Sequence, residues 1–286
     1  MSDFNIDFVG VGPQRTGSTW LDRVLRAHPV LCLPENVKET KFFDQHFSKG
    51  LDWYAWHYRH CAPSELRGEM APTYFDVPDA RRRLHAHNPE CKVIVGLRDP
   101  AARAFSLYQH HRREGRVPEG FRAAVRQIPR IVEAGRYAQH VPGWIEAFGR
   151  EQVLFVLLDD VKGRPAWVLR RVCDFLGVEP MEPPEAAAER VNATTRPHFA
   201  WVARAAVFLA KKLRGRRLHR LVEWGKKIGL KSIYTGEVDE QSEMAPANRR
   251  HLVEAYEADI RYAEQMLGRE LSGWRAVPDT PPAETA

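Results

Sequence analysis

Two glycines, an arginine and three hydroxyl side chains lie close together near the start of the chain, in a pattern suited to binding an anion. The segment reads Gly12-Pro-Gln-Arg-Thr-Gly-Ser-Thr-Trp20, and it follows an apolar run over residues 6–11. Glycines let the backbone curl around an anion, and the amide N–H groups and the positive end of a following helix converge on it. The pattern therefore predicts a phosphate-binding loop.

The position of the cation distinguishes this loop from the loop of nucleotide triphosphatases, G-x-x-x-x-G-K-[ST]. Gly12 and Gly17 match the two glycines, but Ser18 takes the place of the lysine, and the cation, Arg15, lies inside the loop. A guanidinium binds phosphate oxygens bidentately. We therefore predict that Arg15 neutralises a phosphate and that the loop is not an ATPase signature.

A second candidate phosphate contact lies at the end of another apolar run. Residues 93–97 lead into Arg98-Asp-Pro100, and Ser106 follows Arg98 by eight positions. An arginine at the end of a buried strand, with a serine on the next helix, favours an anion contact over a solvated strand end. Arg103 is expected to pair locally.

The two candidate anion contacts resemble those of sulfotransferases that use 3′-phosphoadenosine 5′-phosphosulfate (PAPS). Between them lie Lys38-Glu-Thr-Lys-Phe-Phe-Asp44 and Gly50-Leu-Asp-Trp-Tyr54, which are similar to the heparan sulfate N- and 3-O-sulfotransferase domains. The similarity covers residues 6–115, with weaker matches over 153–177 and 245–274.

The resemblance implies the roles of individual residues. Glu39 falls where those domains have the base that activates the acceptor, although by local composition alone it belongs to a surface turn. Trp20 matches a tryptophan that stacks on adenine, but it fits a core position equally well. The implied cofactor contacts are Arg15, Thr16, Gly17, Ser18, Thr19 and Trp20 at the 5′ end, Arg98 and Ser106 at the 3′-phosphate, and Arg196 in a covering loop.

The assignment of the base leaves alternatives open. Heparan-type domains have a Glu-Lys pair near Glu69, but Met70 stands here in place of the lysine, and Lys41 is a candidate to supply the missing cation. Glu69 is the reserve base. Four histidines form the third choice, because imidazole is the base in some cytosolic relatives of the family that the chain resembles; these are His46, His57, His110 and His111. The pair at 110–111 is expected at an exposed helix end.

The elements that must position these residues alternate along the chain. Apolar β-branched runs at 6–11, 92–97 and 153–158 predict strands buried on both faces. Helical periodicity covers 18–27, 101–113, 166–175 and 246–267. The pattern predicts a doubly wound α/β fold with a mainly parallel sheet, in which ligands bind at the carboxyl ends of the strands.

Length and composition set the remaining bounds. The 286 residues are 44% hydrophobic and 28% charged, which is typical of a globular protein. We expect one domain over 1–286, a flexible tail over 275–286, and a cytoplasmic location, because the first residues lack the pattern of a signal peptide. The four cysteines, at 32, 61, 91 and 173, are expected to be buried reduced thiols. No metal is expected, because sulfuryl transfer does not require one.

One segment carries most of the positive charge. Residues 196–231 hold eleven lysines and arginines against one glutamate, so the net charge of +6 leaves −4 for the rest of the chain. We expect a basic helical insertion over 190–235, which would attract an anionic acceptor or a membrane surface through residues 199–231. A nucleic-acid partner is not expected. The alternatives to a sulfotransferase are a kinase-like phosphoryl transferase, for which Asp159 and Asp160 are the candidate metal ligands, and a basic membrane- or nucleic-acid-binding module.

Overall fold

Five parallel strands form one sheet in the computed structural model, which describes residues 4–184, 195–197, 235–237 and 244–278. The strand order is β2-β3-β1-β4-β5. The strands are β1 (Phe8–Gly10), β2 (Leu31–Cys32), β3 (Leu66–Met70), β4 (Lys92–Leu97) and β5 (Val153–Leu157). The predicted fold class is confirmed. The order reverses at β1, so that the carboxyl ends of β1 and β4 lie at the switch point where such sheets bind ligands.

Helices separate the strands, and the predicted ones lie close to their expected positions. In chain order they are α1 (Ser18–Arg26), α2 (Leu51–Ala55), α3 (Pro78–His87), α4 (Pro100–Arg113), α5 (Phe121–Gln127), α6 (Arg130–Glu133), α7 (Tyr137–Phe148), α8 (Leu158–Gly163), α9 (Pro165–Leu176), α10 (Pro246–Ala255) and α11 (Glu257–Leu267). A short antiparallel ribbon joins β6 (Thr195–Pro197) to β7 (Thr235–Glu237). Among the helices in these ranges, none is long and apolar enough to cross a membrane.

The single helix expected over 246–267 is wrong, because it breaks at Tyr256. The Tyr256 hydroxyl donates to the carbonyl oxygen of Val132 at 2.7 Å, and the Arg136 guanidinium donates to the carbonyl oxygen of Ala255. These bonds engage the carbonyl oxygen of Ala255, the last residue of α10, and the side chain of Tyr256. Both groups contact residues outside the helix at the point where the helix is interrupted. Two helices therefore meet where the sequence shows one periodicity.

The residues divide into two compact units. The first holds residues 4–98 and 140–184 and contains the whole five-stranded sheet. A cluster of buried apolar side chains packs on this sheet from α1 and α9, and it includes Trp20 and Met70. Trp20 is only 9% exposed. The packing therefore supports the core interpretation of Trp20, and its contact with adenine stays a prediction.

The second unit holds residues 99–139 and 244–278 together with the ribbon. Asp99 caps α4 by accepting from the backbone N–H of Ala101 at 2.9 Å, and its other oxygen pairs with the buried Arg249 at 2.6 Å. Arg249 also donates to the carbonyl oxygens of Trp274 and Ala276. These contacts hold the backbone at residue 276, inside the expected tail over 275–286, whose flexibility stays a prediction.

Two of the four cysteines correct the expectation of reduced thiols. Cys32 and Cys61 form a disulfide across 29 positions, whereas Cys91 and Cys173 are free and buried as expected. The two bonded cysteines are far apart in sequence, and only the return of the chain to the edge strand β2 brings them together. In the chain-entropy model, closing a loop of this length lowers the entropy of the unfolded chain and so raises the free energy of unfolding by about 3–4 kcal/mol.

Several expectations fall on residues outside the described ranges. These include nearly all of the basic insertion over 190–235 and the last residues of the tail. The expectation of a single domain over 1–286 also stays a prediction.

Candidate functional site

The loop after β1 has the backbone shape that anion binding requires. Gly12 lies against β4 so closely that a Cβ atom there would be 2.1 Å from the backbone nitrogen of Gly96. Gly17 begins α1 in a left-handed conformation, with φ 97°. The Thr16 hydroxyl is buried and donates to the carbonyl oxygen of Pro13 at 2.8 Å, which closes the loop on itself. The amide groups of the first turn of α1 therefore follow directly on a tightly packed loop.

Arg98 and Arg15 bring the two predicted phosphate motifs together. The Arg98 guanidinium, at the end of β4, donates through Nη1 to the carbonyl oxygen of Arg15 at 3.1 Å. Arg15, whose carbonyl accepts this bond, has a positive φ of 77°. Positive φ is uncommon outside glycine and is retained where surrounding contacts enforce it. The Arg98 guanidinium thus contacts the backbone of the predicted phosphate loop.

Lys38 links the loop to the candidate base, a contact that its position in the sequence does not predict. Its ammonium donates to Ser18 Oγ at 3.0 Å and to Thr19 Oγ1 at 3.4 Å. The same nitrogen lies 3.5 Å from Glu39 Oε1. The available signal was its position beside Glu39, but adjacency alone did not show that its side chain turns toward the loop.

Glu39 remains accessible while it is held near the loop. Its side chain is 20% exposed, so an acceptor can contact the carboxylate without a change in the fold. Lys41 has a left-handed backbone, with φ 56°, and its carbonyl oxygen accepts from the N–H groups of Gln45 and His46. The described contacts give Lys41 this turn-forming role, and its contribution as a cation stays a prediction.

Glu69, the reserve base, lies in β3 with no exposed surface. Each of its oxygens accepts two hydrogen bonds. Oε2 accepts from the Thr40 backbone N–H at 3.1 Å and from the Thr40 hydroxyl at 2.7 Å. Oε1 accepts from the Tyr74 hydroxyl at 2.8 Å and from the Tyr54 hydroxyl at 3.1 Å. The carboxylate therefore has no face open to an acceptor, and Glu39 is the better placed of the two.

Burial raises the pKa of Glu69 to about 7, although Thr40, Tyr74 and Tyr54 donate hydrogen bonds that oppose the shift. Below this pKa the folded protein holds a proton that the unfolded chain releases near its ordinary pKa of 4.5. The free energy of unfolding should therefore fall as pH rises from 4.5 through 7. At about 1.4 kcal/mol per pKa unit, the loss is about 3 kcal/mol.

Urea unfolding of the wild type and of Glu69→Gln, between about pH 4 and pH 8, measures this dependence. The advantage of the wild type over the variant should shrink by about 3 kcal/mol across the range. Glu90→Gln, at an exposed carboxylate, is the control and should show no comparable trend. A pH-independent difference for Glu69→Gln would contradict the prediction.

The other predicted site residues have mixed placements. Ser106 is half-buried on α4 in the second unit, and Arg196 lies in β6, where only its backbone is described. Met70 packs against Gly10 in the core, so this position directs its side chain away from solvent.

His111 is buried rather than exposed as expected, and burial lowers its pKa to about 4. His57 is also buried, which leaves His46 as the more accessible of these two in the segment near Glu39.

Comparison with known proteins decides the family. A family model described as a sulfotransferase domain matches residues 5–195. The chain belongs to the sulfotransferase family. The matched residues contain the loop, Lys38, Glu39, Glu69 and Arg98, so this sulfotransferase domain includes the geometry described above. The chain is accordingly a transferase, as the sequence motifs predicted.

Relatives and one solved structure agree with this family. Heparan sulfate glucosamine 3-O-sulfotransferase 6 of Homo sapiens is 35% identical over 182 residues, which cover 59% of this chain and 51% of that protein. Bifunctional heparan sulfate N-deacetylase/N-sulfotransferase 1 of Caenorhabditis elegans is 32% identical over 187 residues, covering 59% and 22%. The chain thus spans about half or less of these relatives. A sulfotransferase from Alicyclobacillus acidocaldarius shares the fold, with a TM-score of 0.69 and 23% identity over 96% of this chain and 100% of that one.

Proposed function

We propose that this sulfotransferase takes its sulfuryl group from PAPS and transfers it to a hydroxyl, or an amine, of an acceptor. The observation that carries the proposal is the Lys38 ammonium, which contacts the phosphate loop and Glu39 at once. The residues fit the donor. A closely packed glycine loop leads into α1, whose first residues carry hydroxyls, and the Arg98 guanidinium contacts the backbone of this loop at Arg15. When bound, PAPS supplies an activated sulfuryl group on a phosphate leaving group.

The residues of the chain supply two complementary functions. We assign Arg15, Lys38 and the amides after Gly17 to neutralising the negative charge that grows on a leaving phosphate. We assign Glu39 to accepting the proton that an acceptor hydroxyl loses during attack. The 3.5 Å separation between Lys38 Nζ and Glu39 Oε1 puts the charge-neutralising group and the base side by side. Because the leaving group and the acceptor lie on opposite sides of the transferred group in an in-line displacement, we assign Lys38 to the leaving-group side and Glu39 to the acceptor side.

The acceptor proposal is broader than the donor proposal. Relatives are named for heparan sulfate and its glucosamine, which supports a carbohydrate acceptor. Each alignment covers only part of the relative, so a lipid or another small hydroxyl compound remains within the proposal. The family and the geometry determine the reaction more closely than they determine the acceptor.

A kinase-like reaction is the alternative, and one contact argues against it. The Asp160 side chain is 9% exposed and pairs with Arg164 at 3.0 Å. A carboxylate engaged in this way is a poor ligand for the magnesium ion that phosphoryl transfer needs. This contact argues against Asp160 as a metal ligand, and the exposed Asp159 is the remaining candidate of the pair.

Donor binding tests the proposal directly. We expect 3′-phosphoadenosine 5′-phosphate (PAP) to raise the melting temperature, whereas adenosine 5′-phosphate and ATP with Mg²⁺ should have little effect. Ligand at about 100 times its Kd stabilises the folded state by about 2.7 kcal/mol, which is readily measured. A larger shift with ATP and Mg²⁺ than with PAP would favour the kinase. Incubation of the wild type with radiolabelled PAPS and desulfated heparin oligosaccharides then tests transfer.

A further inference from the structure

Glu69 is connected to the backbone of residues 39–43, called here the base segment because it contains Glu39. The Glu69 carboxylate itself is fully buried. Both of its bonds at Oε2 come from Thr40, one from the backbone N–H and one from the hydroxyl. Thr40 is the residue immediately after Glu39 and is itself 4% exposed. A fully buried carboxylate therefore holds the neighbour of the candidate base at two points.

The same carboxylate fixes the turn that follows. The Thr40 hydroxyl donates to Glu69 and accepts from the backbone N–H of Phe42 at 3.2 Å. The Tyr74 hydroxyl donates to Glu69 and accepts from the backbone N–H of Phe43 at 3.3 Å. Thus three of the four residues over 40–43 connect to one side chain on β3, directly or through one hydroxyl. The residue between them, Lys41, keeps a positive φ of 56°.

Ionised oxygens suit this position because every neighbouring polar group donates. A carboxylate has only acceptors, so it can accept the two bonds from Thr40 and the two from the tyrosines. An amide in its place must turn an NH₂ group toward one of these pairs. If the NH₂ group faced Thr40, it would meet the Thr40 backbone N–H, which is also a donor and cannot become an acceptor. Facing the tyrosines, it would require their hydroxyls to reorient and weaken the bond to Phe43.

We infer that Glu69 is a positioning residue, which acts through Thr40 to hold the Glu39 carboxylate where it meets the acceptor. The inference rests on the proposed function, in which Glu39 is the base. Glu69 is not a catalytic residue in this scheme, because it contacts neither donor nor acceptor. Its loss should displace the base segment without removing the contacts that bind the donor.

The test compares rates in a double-mutant cycle. With labelled PAPS and desulfated heparin oligosaccharides as probes, Glu69→Gln should lower kcat by roughly 10- to 100-fold, the loss expected from misplacing a reacting group by about 1 Å. The KM for PAPS and the Kd for PAP should stay within about twofold of the wild type, because the loop contacts are retained. In a Glu39→Gln background, Glu69→Gln should cause little further loss, because its effect passes through Glu39.

Matched variants separate positioning from general damage to the core. Tyr58→Phe removes a hydroxyl that donates to Tyr54 and Gly68 but not to Glu69, and it should leave kcat within about twofold. Thr40→Val should reproduce the loss of Glu69→Gln, and Thr40→Ser should restore the rate. Hydrogen exchange should accelerate at residues 40–43 in Glu69→Gln, which is a readout independent of turnover.

Each failure has a distinct meaning. Wild-type protein that binds no PAP and transfers no sulfate would overturn the proposed function itself. If the wild type is active, full additivity of Glu39→Gln and Glu69→Gln would overturn the positioning role. A Tyr58→Phe loss equal to that of Glu69→Gln would also overturn it, since the effect would then reflect core packing. Unchanged exchange at 40–43 in Glu69→Gln would contradict the link through Thr40.

Discussion

Glu39→Gln should lower single-turnover sulfuryl transfer by about 10²- to 10⁴-fold, while PAP binding stays at the wild-type level. The amide keeps the shape of the side chain but cannot accept the proton of an acceptor hydroxyl. Donor affinity is expected to survive because Lys38 still contacts Ser18 and Thr19. The measurement uses labelled PAPS with enzyme in excess, and calorimetry checks PAP binding separately.

Glu35→Gln is the matched control for this prediction. Glu35 lies four positions earlier and forms an ion pair with Arg59 on the surface. Its replacement should leave turnover within about twofold, because exposed ion pairs contribute little. A wild-type rate in Glu39→Gln would transfer the role to His46 or indicate an acceptor amine that needs no base.

The second large effect concerns donor recognition by Arg98. The wild type should bind PAP much more tightly than adenosine 5′-phosphate, because a guanidinium–phosphate contact left unmade costs on the order of 2 to 5 kcal/mol. Arg98→Ala should remove this preference. It also removes the bond to the Arg15 carbonyl, so some loss of affinity for both ligands is expected.

Calorimetry of both ligands against both proteins measures the preference as a ratio of Kd values. Arg82→Ala is the control, because Arg82 has a 73% exposed side chain on α3 and pairs only with Asp79 among its described contacts. It should retain the wild-type ratio. Equal Kd values for PAP and adenosine 5′-phosphate in the wild type would remove the 3′-phosphate assignment from Arg98 and Ser106 together.

The parts of the fold that the sequence predicted are those with local signals. Continuous apolar β-branched runs identified β1, β4 and β5, and helical periodicity identified α1 and α9. The strand β3 was missed because Arg67 and Glu69 interrupt its apolar pattern. The strand β2 was missed because two residues carry no periodicity. Both strands form through pairing across the sheet, which a linear pattern does not record.

The residues of the candidate site also divide into those with a local sequence signal and those that depend on contacts between distant parts of the chain. The glycines, Arg15 and Arg98 follow spacing rules that connect residues within one strand–loop–helix unit. Lys38 was missed because its function depends on a side-chain direction across 20 positions of sequence. Glu69 was placed among the bases because the sequence shows a carboxylate but not its burial. Because the carboxylate is buried, it cannot accept a proton from a ligand, and it instead accepts a hydrogen bond from the backbone N–H of Thr40.

The disulfide gives the base segment an unusual covalent form. Residues 33–60 lie inside a closed ring that Cys32 and Cys61 complete, and Glu39 is part of that ring. A protease that cuts one peptide bond within it produces two polypeptides that remain a single molecule. The base-bearing segment can therefore be nicked without leaving the protein, and only a thiol reductant would release the pieces on a denaturing gel.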